Sequence, residues 1–150
     1  MTHLELKEAI KDAMRAKDTV RLGVLRMLSA AATNELVSKT RAPDEVLSED
    51  DMLTIIMRAA KQRKDSIEQF IAGGRPELAE GEKAELAIIE AMLPAQMSRE
   101  EIESAVKAKA AEMGVTDKTG ANKLMGMLMK DLKGKADGTL VKQVVESLFQ

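Results

Sequence analysis

The chain has 150 residues and a formal net charge of −2, and although 45% of it is hydrophobic it has no Cys, Trp or Tyr and only two Phe. The missing Cys excludes a thiol nucleophile, a disulfide framework and a Cys-ligated metal, and a single His argues against a His-based metal site. No apolar run approaches the roughly 20 residues of a membrane helix, and acids near the N-terminus argue against a signal peptide. We therefore expect a soluble, cytoplasmic protein with no metal, cofactor or membrane partner.

The first part of the chain predicts helices, because apolar residues recur at the spacing of one helical face. Helix one covers about residues 2–16, and helix two begins after its cap Asp18 and ends near residue 38. Helix three follows Ser48, which has Asp51 three residues later as in a capping box, and ends near residue 72. The apolar residues that indicate helix one are Leu4, Leu6, Ile10, Ala13 and Met14, and the apolar stripe of helix two is Val20, Val24, Met27, Leu28 and Ala31. Helix three is predicted to bury Met52, Ile56, Ala60, Ile67 and Ile71.

A fourth helix is predicted after the Gly73-Gly74 turn. Pro76 suits its first turn and Pro94 stops it, and such a short turn predicts an antiparallel hairpin with helix three. Its predicted core positions are Leu78, Leu86, Ile89 and Leu93.

Residues 94–97 are predicted to be a linker between two small domains of an all-α protein. Ser98 followed by Glu101 has the spacing of a capping box and opens a new helix. The N-terminal domain, residues 1–93, is then a four-helix hairpin or bundle. The C-terminal domain, residues 98–150, has three helices at about 98–113, 119–133 and 138–149, the first two ended by Gly114 and Gly134.

The residues offer no catalytic constellation. The Ser residues are scattered over helix caps and surfaces, and Gly73-Gly74-Arg75-Pro76 lacks the spacing and the lysine of a phosphate-binding loop. The single His3 lies at the terminus, where we expect a solvated side chain rather than a general base. We therefore predict no catalytic residue.

A first concentration of positive charge lies in helix three and has two interpretations. It could contact an RNA backbone, or it could be a solvated face that is compensated by carboxylates of its own helix and of helix four. The latter is favoured by i,i+4 acids and by the acidic helix at about 77–92. The basic residues are Arg58, Lys61, Arg63 and Lys64.

A second concentration of positive charge lies in the C-terminal domain, where residues 118–142 contain six Lys and two Asp. Three Lys and a glycine lie at i, i+3, i+7 and i+10, and a Lys-Gly-Lys turn with a capping acid follows. Amides at the start of the last helix are candidates to hold a phosphate. The candidate RNA-binding residues are Lys123, Gly126, Lys130, Lys133, Gly134, Lys135, Asp137 and Gly138.

An equally open interpretation gives these residues structural roles. Lys near a helix C-terminus complements the helix dipole, and Asp137 is an ordinary cap whose charge opposes an anion. The neighbouring methionines are ambiguous in the same way: Met125 and Met129 share a face with Leu128 and are predicted core, whereas a Met-lined surface would bind protein.

The order and spacing of several motifs resemble the GatB/YqeY family, in its stand-alone YqeY-like form, over essentially the full length. The motifs are Lys17-Asp18, Arg21-Leu22, Lys61-Gln62-Arg63-Lys64-Asp65-Ser66-Ile67, Gly74-Arg75 through Leu78, Glu82, Glu85, Glu90, Leu93-Pro94, Ser98, Glu100-Glu101, Gly126-Met127, Lys133-Gly134-Lys135-Ala136-Asp137-Gly138, Val141 and Val144.

The resemblance implies two helical domains, the second similar to the helical tail of the B subunit of glutamine-dependent tRNA amidotransferases, which helps to hold tRNA. Such proteins are labelled carbon–nitrogen ligases with glutamine as amido-nitrogen donor, but this chain has no counterpart of the amidase subunit or the kinase-like domain. The tail's basic loop corresponds to residues 133–138. The family pattern often has Arg where this chain has Lys135, which keeps the charge and loses the bidentate fork.

Three hypotheses follow for the function. The first is a non-catalytic module that binds tRNA, or a tRNA-handling protein, through the C-terminal domain. The second is an accessory component of amidotransfer, active only with amidotransferase partner subunits. The third is a protein-interaction module without RNA, using the acidic helix or the methionine cluster.

Overall fold

The computed structural model describes residues 1–150 and consists of seven α-helices and one short 3₁₀ helix, without strands. The 3₁₀ helix is Lys118–Gly120, and the α-helices are α1 His3–Arg15, α2 Thr19–Ser38, α3 Glu49–Ala72, α4 Pro76–Glu90, α5 Arg99–Met113, α6 Ala121–Asp131 and α7 Gly138–Leu148. The all-α prediction is confirmed. None of these helices combines the length and the apolar character that crossing a membrane requires.

The chain forms two compact units, Met1–Leu93 and Pro94–Gln150, each with its own apolar core. The predicted linker, residues 94–97, groups with the second unit. That the two units are independent domains stays a prediction.

In the first unit, α1 packs on α2 and α3 forms a long antiparallel hairpin with α4. Its buried core consists of Leu6, Ala13, Val24, Leu25, Leu28, Ala32, Leu36, Leu47, Met52, Ile55, Ile56, Ala59, Ala60 and Ile89. The predictions that Val20, Ile71 and Leu78 lie in the core are wrong, because all three are exposed, and of the apolar residues of α1, Leu4 and Met14 are exposed as well. Apolar residues surround α2 on every side, so its periodicity does not specify which face is buried.

In the second unit, α5, α6 and α7 pack on one another around a core of small and branched side chains. The buried residues are Ile102, Val106, Ala110, Leu124, Leu128, Ala136, Val141, Val144 and Val145. The helix predicted at about 119–133 is shorter than expected, because a 3₁₀ helix replaces its first turn and α6 ends at Asp131.

The helix caps follow the sequence closely. Ser98 accepts a hydrogen bond from the Glu101 amide while Glu101 accepts one from Ser98, which confirms the predicted capping box. Ser48 caps α3 through the Asp51 amide, but the Asp51 carboxylate lies 2.6 Å from Lys39 Nζ instead of closing the box. The shorter Asp side chain therefore bonds to a cation outside the helix.

His3 is buried, and the prediction of a solvated terminal side chain is wrong. It is 3% exposed, and its Nδ1 accepts a hydrogen bond of 3.0 Å from the amide of Leu47, which is itself buried. Burial, assisted by the nearby Lys7 charge, holds the His3 pKa below its ordinary value of 6.5. The fold thus uses neutral His3 to join the start of α1 to the segment before α3.

We expect acidification to weaken the first unit through His3. Because the pKa is lower in the folded state, the stabilisation is complete above about pH 6.5 and is lost as the pH falls through the folded value. Protonated Nδ1 also cannot accept the Leu47 N–H. Urea denaturation between pH 7.5 and pH 5.5 measures this loss.

The control is His3→Gln, which does not titrate in this range. Its free energy of unfolding should change less with pH than that of the wild type. An equal pH dependence in both proteins would contradict the role of His3, and since the chain has one His, an NMR titration of its imidazole assigns the pKa directly.

Candidate nucleic-acid interface

The exposed face of α6 carries two lysines with a glycine between them. Leu124 and Leu128 are buried in the core and fix the rotation of the helix, so Lys123, Gly126 and Lys130 lie on its solvent side. Positions seven apart on an α-helix are separated by about 10 Å along its axis. The structure therefore places two charges two turns apart on an open face.

Gly126 leaves this face without an obstruction. A Cβ built at Gly126 would meet nothing within 4 Å, and its backbone dihedrals are ordinary helical ones. The backbone of α6 is therefore accessible to a ligand between Lys123 and Lys130, as the sequence suggested.

The turn after α6 presents a third lysine. Gly134 is buried, and its φ of 78° lies in the left-handed region that favours glycine, as predicted. Lys135 is exposed, whereas Lys133 is half-buried and has interactions of its own within the fold. Of the two lysines in this turn, Lys135 is therefore the one presented to solvent.

Residues 96 and 97, which precede α5, form hydrogen bonds to the carbonyls of this turn. The Gln96 side-chain amide donates to the Gly134 carbonyl and to the Pro94 carbonyl, each at 2.8 Å, and the Met97 amide donates to the Lys135 carbonyl at 2.8 Å. Nothing in the sequence pattern indicated this contact, because 38 residues separate Gln96 from Gly134.

The start of α7 does not offer the phosphate site that the sequence suggested. Asp137 caps the helix and accepts hydrogen bonds from the Thr139 amide at 2.8 Å and the Leu140 amide at 3.4 Å. Because the Asp137 carboxylate already uses these amides, this part of the interpretation is corrected. An added Cβ at Gly138 would lie 2.6 Å from the terminal methyl of Met129, a flexible group.

The one carboxylate of α6, Asp131, has a cationic partner on α5. Asp131, at the end of α6, forms an ion pair of 3.0 Å with Lys109 of α5, and hydrogen bonding to Asp131 raises the pKa of Lys109. Lys123, Lys130 and Lys135 have no carboxylate within ion-pair distance. The three exposed lysines thus carry uncompensated charge.

The basic segment of α3 has a different environment. Arg63 is 19% exposed in its side chain and contacts Glu85 at 2.7 Å and Glu82 at 3.4 Å on α4, while a guanidinium nitrogen donates to the Met27 sulfur of α2 at 3.0 Å. The remaining ion pairs are Arg58 with Glu35 at 3.8 Å, Lys61 with Asp65 at 3.4 Å and Lys64 with Glu90 at 3.4 Å. This geometry supports the interpretation of a compensated face.

The methionines of α6 divide between core and surface. Met125 is half-buried against the core, but Met127 and Met129 are exposed. The prediction of a core position for Met129 is wrong, because its side chain lies over the first residue of α7 at the edge of the packed region. No group of three or more His, Cys, Asp or Glu is arranged to hold a metal ion.

Comparison with known proteins yields one family. A family model described as "Yqey-like protein" matches residues 3–149. The chain is 29% identical over 147 residues to "Altered inheritance of mitochondria protein 41, mitochondrial" of Pyrenophora tritici-repentis, a match that covers 95% of this chain and 78% of the relative. Proteins of the same name are 37% identical over 105 residues in Kluyveromyces lactis (67% of this chain, 54% of the relative) and 31% identical over 133 residues in Saccharomyces cerevisiae (88% and 68%).

These names correct the predicted location. All three relatives are named as mitochondrial proteins, so the prediction of a cytoplasmic protein is wrong by this comparison. The composition and charge on which that prediction rests do not select a compartment.

The ion pairs of Arg63 predict a structural effect. Arg63→Met should lower the free energy of unfolding by roughly 1–2 kcal/mol, because it leaves Glu82 and Glu85 without their shared cation in a partly buried site. Arg58→Met is the control, since its pair is exposed and 3.8 Å long, and it should change stability by less than about 0.5 kcal/mol. Equal effects of the two variants in urea denaturation would contradict this role of Arg63.

Proposed function

The chain belongs to the YqeY-like family, whose model matches residues 3–149, and we propose that it is a non-catalytic module that binds tRNA through its C-terminal unit. The observation that carries the proposal is the open face of α6, where Lys123 and Lys130 flank Gly126 without an obstructing side chain. The tRNA partner is the expectation raised by the resemblance to the amidotransferase tail.

Phosphates are the ligand groups that this face suits. Lysine is a compact charge on a flexible stem, which binds phosphate without the bidentate geometry of arginine. The three exposed lysines have no carboxylate within ion-pair distance, and Lys109, which also pairs with Glu112, binds the Asp131 carboxylate. Contacts to the phosphate backbone position a protein on a nucleic acid without reading its bases.

Base-paired RNA fits the composition better than single strands. Proteins that bind single strands stack bases on aromatic rings. The C-terminal unit contains one aromatic residue, Phe149, and this side chain packs against the core. A face of lysines and a glycine can recognise the shape and charge of a helical stem. We therefore expect binding to the stems of tRNA with little dependence on sequence.

The basic residues of α3 have no part in this proposal. Arg58, Lys61, Arg63 and Lys64 each have a carboxylate partner, so an RNA phosphate would have to displace an existing ion pair. The proposed interface is therefore confined to the C-terminal unit.

Replacing the two lysines of α6 tests the interface. Lys123→Ala with Lys130→Ala should weaken binding of fluorescently labelled tRNA and lower the slope of log K against log salt by about 2, roughly one unit for each lost phosphate contact. The measurement is fluorescence anisotropy from low to physiological salt. Single-stranded RNA of equal length should compete poorly with a duplex.

Lys107→Ala provides the matched control, because Lys107 is an exposed lysine of the same unit on α5. It should leave the salt slope nearly unchanged. A double variant with the wild-type slope would exclude α6 from the interface, and no binding by the wild type at low salt would refute the proposal as a whole.

Gly126→Ala separates stability from binding. The added methyl group enters open space in a helix interior, so it should raise the free energy of unfolding by about 0.5–1 kcal/mol. The same methyl group should weaken tRNA binding, because it lies between the two lysines, where the RNA backbone must approach the helix.

Gly23→Ala is the control for this change. Gly23 is an exposed glycine within α2 that also has nothing within 4 Å of an added Cβ. It should stabilise the protein similarly and leave tRNA affinity unaltered. Equal affinities of both variants would show that no ligand backbone approaches Gly126.

A further inference from the structure

We infer that Gln96 is a positioning residue for Lys135, so that residues 94–97 form a strap that holds the basic turn in its binding conformation. The inference rests on the proposed function, because Lys135 is the exposed lysine of that turn. It gives a role to a segment whose sequence predicts only a linker.

The strap holds two consecutive peptide groups. The Gln96 side chain donates to the Gly134 carbonyl and the Met97 amide donates to the Lys135 carbonyl, both at 2.8 Å. These two bonds restrict the orientation of the two peptides that flank Lys135. The Cα of Lys135 lies between these carbonyls, so the Cα–Cβ bond of Lys135 leaves the backbone in a fixed direction.

Other contacts hold the amide side and the ends of the turn. The Lys135 and Ala136 amides both donate to the Leu132 carbonyl, at 2.9 and 3.2 Å, and Ala136 is buried. These contacts hold the amide side of the turn, whereas the carbonyls of Gly134 and Lys135 depend on the strap. Gly134 in the left-handed region would otherwise allow the turn a wide range of conformations.

Gln96 is suited to this role because its side chain joins the strap to the turn. Its amide nitrogen also donates to the Pro94 carbonyl at 2.8 Å, so both N–H groups of the side chain bond to carbonyls. Met97, next in sequence, packs against the core of the unit. The strap is thus attached to the core at one end and to the turn through Gln96.

A pre-ordered lysine binds a phosphate with a smaller loss of conformational freedom than one on a mobile turn. The strap therefore raises affinity without itself contacting RNA. Gln96 acts through Lys135, and its effect should disappear when Lys135 is absent.

The test is a double-mutant cycle of Gln96→Met and Lys135→Ala in the full chain, with unfractionated labelled tRNA as the probe. Gln96→Met keeps the length and neutrality of the side chain and removes both donors. It should weaken binding about twofold to fivefold, no more than Lys135→Ala, which removes about one phosphate contact. In the Lys135→Ala background the same change should alter affinity by less than about twofold. An undiminished effect in that background would overturn the inference.

A second readout does not depend on RNA. Amide hydrogen exchange at Met97 and Lys135 should be faster in Gln96→Met than in the wild type, while α5 and α7 stay protected. Gln143→Met, an exposed change on α7, is the matched control and should leave both readouts unaltered. Unchanged exchange at Met97 and Lys135 would refute the strap, whereas faster exchange in a protein that fails to bind tRNA would support the strap and refute the proposed function.

Discussion

Burial of Leu124 and Leu128 determines the rotation of α6 about its axis, and the candidate interface depends on that rotation. The two leucines are one helical turn apart and are almost fully buried in the second unit. Once they face the core, the helical period places Lys123, Gly126 and Lys130 toward solvent. A chain with so few aromatic residues must build its cores from Leu, Ile, Val, Met and Ala, so the fit of these small side chains sets the geometry of the charged face.

The two basic segments of the chain show why local charge density is an incomplete guide to a nucleic-acid surface. In α3 most of the paired carboxylates come from another helix, and Glu82 and Glu85 of α4 lie close enough to bind Arg63. In α6 the nearest acid, Asp131, is bound by a lysine of α5. The ion pairs of α3 therefore compensate its basic side chains, whereas the ion pair of Asp131 compensates the acidic side chain of α6. The difference lies in which helices pack together, and a count of residues along the sequence does not contain it.

The same distinction explains how much could be predicted from the sequence. The existence of the helices, the Asp18 and Ser98 caps and the left-handed Gly134 all depend on neighbouring residues, and each was predicted correctly. The buried state of His3 was not, because its partner Leu47 is 44 residues away. The helical spacing of Val20 to Val24 predicts a core position, but Val20 is exposed, because α2 has no single apolar face and its packing partners select the buried one. The candidate site follows the same rule: its lysines are proposed from their spacing, whereas no local pattern indicates the contact between Gln96 and Gly134.

The turn between α6 and α7 combines both kinds of information. Gly134 permits the left-handed conformation that ends the helix, which is a local property of one residue. A glycine that permits one conformation permits many others, so the native one needs an external restraint. The carbonyls of Gly134 and Lys135 receive that restraint from Gln96 and Met97. The local sequence of this basic turn, with its glycine, predicts flexibility. Contacts with residues that are distant in the sequence order it.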